Sequence, residues 1–102
     1  MIKNKIYQIK KQKSVPLRSL INIGSVTEKK FNQIGIFSRE EFLACDPYEV
    51  FENLRQKVDP TLCRCALASV VGAKLGLPWH QITKATAQEY ESRHPDHRWG
   101  KC

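Results

Sequence analysis

Apolar positions fall at helical spacing along most of this chain, and capping residues, prolines and glycines cut them into short runs. Residues 1–13 hold no sustained period, although Ile2, Ile6 and Ile9 would share one face if a partner induced a helix. From Pro16 onward the pattern sharpens. Pro16 suits the first turn of a helix reaching about Asn22, and Asn22-Ile23-Gly24 reads as a tight turn. Ser25 is placed to cap the next helix, with Glu28 at capping-box spacing, and Gly35 reads as the residue just beyond its C-terminus. Ser38 and Glu41 form a second capping box, which predicts a helix from about Arg39 to Cys45 with Phe42 and Leu43 facing inward. Asp46-Pro47 starts another helix, whose inward stripe is Val50, Phe51, Leu54 and Val58.

Asp59-Pro60 repeats that start signal, and from Leu62 to Leu75 the residues are apolar on nearly every face, as suits a helix buried at the centre of a domain. Ala68, Gly72 and Gly76 recur every four residues there. A glycine inside a helix costs about 0.5–1 kcal/mol relative to alanine, so Gly72 implies a neighbour packed where a Cβ would clash, and Gly76 terminates the helix. Pro78-Trp79 then opens a short segment in which Trp79 is expected to fold back as an apolar plug. Thr86 and Glu89 mark a last helix ending before Pro95. The pattern thus predicts an all-α fold, a small bundle of about five helices between Ser14 and Ile82 with a helix-hairpin-helix or SAM-like arrangement. The expected organisation is an arm at 1–13, a helical domain at 14–83 and a partly helical extension at 84–102.

At 102 residues, one modest core is expected, since a domain of this size buries roughly two-thirds of its unfolded surface. Charge adds a second element to the picture. Of the net charge of +7, five units come from Lys3, Lys5, Lys10, Lys11 and Lys13, and no acidic residue precedes Glu28. Such an arm either contacts polyanions by releasing their counterions or simply serves as a solvated tail. With no signal-peptide core and no window near the roughly 20 apolar residues of a membrane span, a cytoplasmic protein without membrane contact is expected. Its four cysteines are expected to be reduced, because Cys63 and Cys65 would point in different directions on a helix.

The hairpin is the main candidate for chemistry. Backbone N–H groups at a tight turn and at a helix N-terminus can face phosphate. Asn22 tolerates the left-handed conformation such a turn needs, Gly24 allows close approach, Ser25 and Thr27 can donate, and Lys29 and Lys30 add charge. Glu28 in the same turn opposes a phosphate, so a purely structural hairpin stays open beside the binding reading. Catalysis is not indicated: the chain has no phosphate-binding glycine loop, no G-x-S-x-G elbow and no H-E-x-x-H pattern. His94, His97 and Cys102 lack zinc spacing and read as part of a flexible polar terminus. Cys45, Cys63 and Cys65 read as small core residues, His80 as a surface residue, and no cofactor is expected.

Taken together, LINIG, QIGIFSREEF, the spaced Val50, Phe51 and Leu54, the small-residue helix and LPWHQI resemble the C-terminal domain of the TfoX/Sxy family over about Pro16 to Thr83. The resemblance implies a regulatory role in natural DNA transformation in bacteria. The longer regulators carry a domain ahead of this one where this chain has a lysine-rich arm, so the chain reads either as a free-standing relative with part of the family's role or as something different built on the same scaffold. Two functions remain in view: a non-enzymatic module that binds DNA or a DNA-bound transcription regulator through the arm and hairpin, and a SAM-like protein–protein interaction module, self-association included. A continuous positive face would favour the first, and an exposed apolar patch the second.

Overall fold

Side-chain capping sets the starts of two of the five helices, those at Arg39 and Pro47. The computed structural model describes residues 15–100, which form five α-helices and no strand: α1 Ser25–Gln33, α2 Arg39–Leu43, α3 Pro47–Lys57, α4 Arg64–Leu75 and α5 Thr83–Arg93, with 3-10 turns at Leu17–Ser19 and Trp79–Gln81. Ser38 closes a full capping box with Glu41 at the start of α2. Asp46 accepts from the Tyr48 backbone N–H at the start of α3, with Pro47 as the first helical residue. Gly35 and Gly76 both adopt positive φ just beyond α1 and α4, where a Cβ would be strained.

Three helix starts differ from the sequence expectation. Residues from Pro16 make a single 3-10 turn, Leu17–Ser19, rather than a helix reaching Asn22, so the hairpin has one helical arm and one short turn. Gly24, not Ser25, occupies the cap position of α1, and no side-chain cap bond forms there; Ser25 lies within the helix. Asp59 does not start α4. Its carboxylate accepts from the Thr61 backbone and hydroxyl instead, which closes a local turn and moves the helix start to Arg64, behind Cys63. An aspartate that bonds two residues ahead can nucleate either a turn or a helix, and here the turn wins.

The core has two lobes that share α3 and α4. In the first, Leu17, Leu20, Ile23, Phe31, Ile36, Phe42, Val50, Leu54, Val70 and Ala73 pack together, with the rings of Phe31 and Phe42 stacked at 5.2 Å. In the second, Phe51, Leu67, Val71 and Tyr90 meet, Phe51 and Tyr90 edge to face at 5.4 Å. Helix α4 buries Leu67, Ala68, Val70, Val71, Gly72 and Ala73, as its all-round apolar pattern requires. Lys74, on the same helix, donates to the carbonyls of Leu43 at 2.6 Å and Cys45 at 2.9 Å, capping the end of α2 from across the fold.

The boundary expected after residue 83 runs through the first turn of α5, whose Tyr90 is fully buried against Phe51. Helix α5 therefore belongs to the same core as the helices before it. Nor is the segment beyond it a free polar tail: His94, His97 and Trp99 pack their rings around Tyr90 at 4.3–5.2 Å. Trp79 corrects a further expectation. Its side chain is 40% exposed, so it does not plug the core.

Candidate nucleic-acid interface

The turn forms slightly earlier than Asn22-Ile23-Gly24: the Ile23 N–H donates to the Leu20 carbonyl at 3.2 Å, which puts Ile21 and Asn22 at its centre and leaves Gly24 extended as the cap of α1. Asn22 is the one non-glycine among the described residues with positive φ, at 73°, a conformation asparagine tolerates. Its side chain, however, points inward. Nδ2 donates to the carbonyls of Leu77 at 2.9 Å and Ser69 at 3.3 Å, and Oδ1 accepts from the Trp79 N–H at 3.3 Å. The carboxamide thus fastens the turn to α4 and to the loop behind it, leaving only backbone for a ligand.

Gly24 is exposed, and a Cβ there would meet nothing within 4 Å. Open space in front of the first turn of α1 is what a phosphate would need. Ser25 is exposed in that turn and Thr27 half-buried. Glu28, expected to repel an anion, lies 3.6 Å from the Arg18 guanidinium, which offsets its charge.

The two lysines separate. Lys29 is exposed and carries no side-chain partner among the described residues. Lys30 is half-buried and donates to Asp59 Oδ2 at 2.8 Å. That bond, with those from Thr61, holds the Asp59 carboxyl well below its ordinary range, at about 2. Lys30 therefore ties α1 to the turn before α4, and a spacing argument confined to the hairpin could not find a partner so distant in sequence. Lys3, Lys5, Lys10, Lys11 and Lys13 lie outside the described residues. The chain leaves that segment at Val15, whose carbonyl accepts from the Arg39 N–H at 2.9 Å.

Other candidates take structural places. Cys45 and Cys63 are free and half-buried, and the Cys45 thiol donates to the Glu41 carbonyl at 3.2 Å. No group of three metal-ligating side chains occurs among the described residues; His94 and His97 are there, and Cys102 is outside them. His97 is held below its usual range by burial and by the nearby Arg55 charge. The Tyr90 hydroxyl donates to Glu52 Oε1. Burial acts to raise the Glu52 carboxyl, but bonds from Tyr90 and Gln56 and the Arg55 charge outweigh it and leave it lowered. His80 is exposed. No helix among the described residues is long and apolar enough to cross a membrane.

The chain is similar in fold to a crystal structure of an uncharacterized protein from Listeria monocytogenes, with 25% identity, a TM-score of 0.68, and coverage of 82% of this chain and 99% of that one. A comparison with curated proteins gives no match. The TfoX C-terminal domain matches residues 13–93, a span that takes in the hairpin, both lobes of the core and α5. The chain belongs to the TfoX C-terminal domain family.

Proposed function

We propose that this protein is a non-enzymatic regulatory module related to the regulators of natural transformation, attaching to DNA or to a DNA-bound regulator through its lysine arm and hairpin. One observation carries the reading, the partition of charge. Residues 15–100 hold eleven Lys and Arg against ten Asp and Glu, whereas the first thirteen residues hold five lysines and no acid. Attraction to a polyanion is concentrated in a segment that joins the body just ahead of the hairpin, where Gly24, Ser25 and Lys29 are exposed. Counterion release then supplies affinity, and the first turn of α1 fixes a phosphate.

Titration of labelled duplex DNA at two salt concentrations tests this. The full chain should bind and lose affinity steeply with salt; removal of residues 1–13 should weaken binding and flatten the dependence by about 0.9 for each phosphate no longer neutralised. Lys29→Ala should remove part of what remains. Absence of binding by the full chain at low salt overturns the reading.

A second reading draws on a different observation. Ile21, Val26, Leu75 and Leu77 are exposed, from 38% to 66%, and Ile21 and Leu77 flank the Asn22 clamp. Apolar side chains beside the hairpin favour a protein partner there, and binding to DNA only in the presence of a second protein would support that reading over direct contact.

A further inference from the structure

We infer that the groove running along α5, between the first residue of α4 and the 3-10 turn at Trp79–Gln81, binds the backbone of a single-stranded polynucleotide, with Trp79 beside it as a stacking platform. The inference rests on the nucleic-acid reading above and adds a second surface and a strand form to it. The groove, about 550 Å³, is lined by Arg64, His80, Thr83, Lys84, Ala87, Gln88 and Glu91. The partners of the cations among the described residues set it apart. Arg18, Lys30, Arg55 and Arg93 pair with carboxylates, Lys74 donates to two carbonyls and Arg98 to one. Arg64 and Lys84 are among those with no side-chain partner in the described residues, and both open onto this one groove beside the exposed His80.

Their positions also work against the local fold. Arg64 is the first residue of α4, and Lys84 lies in the first turn of α5. A positive charge there opposes the helix dipole. The first turns of α1, α2 and α3 each contain glutamate, whereas those of α4 and α5 contain no acid and no side-chain cap. Arg64 and Lys84 are thus unfavourably placed for stability and favourably placed to meet an anion between them. Glu91, the acid in the lining, is engaged by the Trp99 indole N–H at 2.8 Å.

Trp79 selects the form of the partner. Trp79 is 40% exposed, and its ring lies at a right angle to that of its neighbour His80, which lines the groove, with 5.8 Å between centroids. Aromatic rings next to a positive groove are how proteins hold unpaired strands, because the base faces of a duplex are already stacked.

Fluorescence anisotropy with labelled oligothymidylate and a duplex of equal length, with helicity checked by circular dichroism, tests the inference. The full chain should bind the single strand more tightly. Replacing Arg64 and Lys84 together by glutamine should weaken single-strand binding at least about tenfold and flatten its salt slope by about 0.7 for each phosphate left without a cation. Trp79→Ala should weaken it about fivefold or more and Trp79→Phe should restore most of it. If the glutamine pair binds like wild type while removal of residues 1–13 abolishes binding, the groove is overturned and the arm reading survives. If duplex binds as tightly as single strand and Trp79→Ala is silent, the single-strand form is overturned. If neither nucleic acid binds at low salt, both readings fall.

Discussion

Asn22 lies against Gly72 so closely that a Cβ built on the glycine would come within 2.7 Å of Asn22 Nδ2, and nearer still to the Leu77 carbonyl oxygen. The missing side chain lets the hairpin and the loop after α4 both reach the helix. Gly72→Leu should therefore lower stability by more than the roughly 1–3 kcal/mol of ordinary overpacking, since the nearest atom is backbone. Even Gly72→Ala should destabilise, against its gain in helix propensity. Thermal melts that move by less than a degree or two for both would show that the loop yields freely.

The same contact makes a graded prediction for Asn22. Asn22→Gly keeps the left-handed turn and loses three side-chain bonds, each worth about 0.5–1.5 kcal/mol net. Asn22→Ala loses the same bonds and adds about 1–2 kcal/mol of left-handed strain. Chemical denaturation should rank wild type above Asn22→Gly and Asn22→Ala lowest. Equal stability of the two variants would mean that the backbone relaxes out of positive φ.

Local signals in the sequence are legible because they act over a few residues. Ser38 with Glu41, Asp46 with Pro47, and Gly35 and Gly76 each specify a helix end by their own backbone chemistry, and all four behave accordingly. What cannot be read is which distant group a polar side chain meets. Asn22 is legible as a turn former, and Gly72 as a point of close packing, but nothing in their spacing says that they meet each other. The partners of Lys30 and Lys74, Asp59 and the end of α2, are brought to them only by the fold. Trp79 misleads for the opposite reason: hydrophobicity alone assigns it to the core, while the 3-10 turn that holds it keeps it at the surface.

Stability should carry the signature of Asp59 in acid. Its carboxyl is lowered to about 2 in the folded protein by the bonds from Lys30 and Thr61, against about 3.9 in an unfolded chain. A depressed acid contributes stability that is complete above the unfolded value and disappears as pH falls through the folded one. Wild type should lose this increment between about pH 4 and pH 2, and Lys30→Met should show a smaller loss across that window. Parallel pH profiles for the two proteins would show that the ion pair contributes nothing to the fold.

Tyr90 makes the last helix inseparable from the rest. Its ring is fully buried against Phe51 and enclosed by His94, His97 and Trp99, and its hydroxyl donates to Glu52 on α3. Tyr90→Ala should cost about 3–5 kcal/mol, as large aromatic truncations in a core do. Tyr90→Phe removes only the bond to a charged acceptor, worth about 1.5–3 kcal/mol, and should keep the fold. Ending the chain after residue 83 removes Tyr90 and all of its neighbours from α5 onward, exposing Phe51, Leu67 and Val71, and should leave a protein without a cooperative melt. A truncated chain that melts as sharply and as high as the full one would show that the second lobe of the core is dispensable.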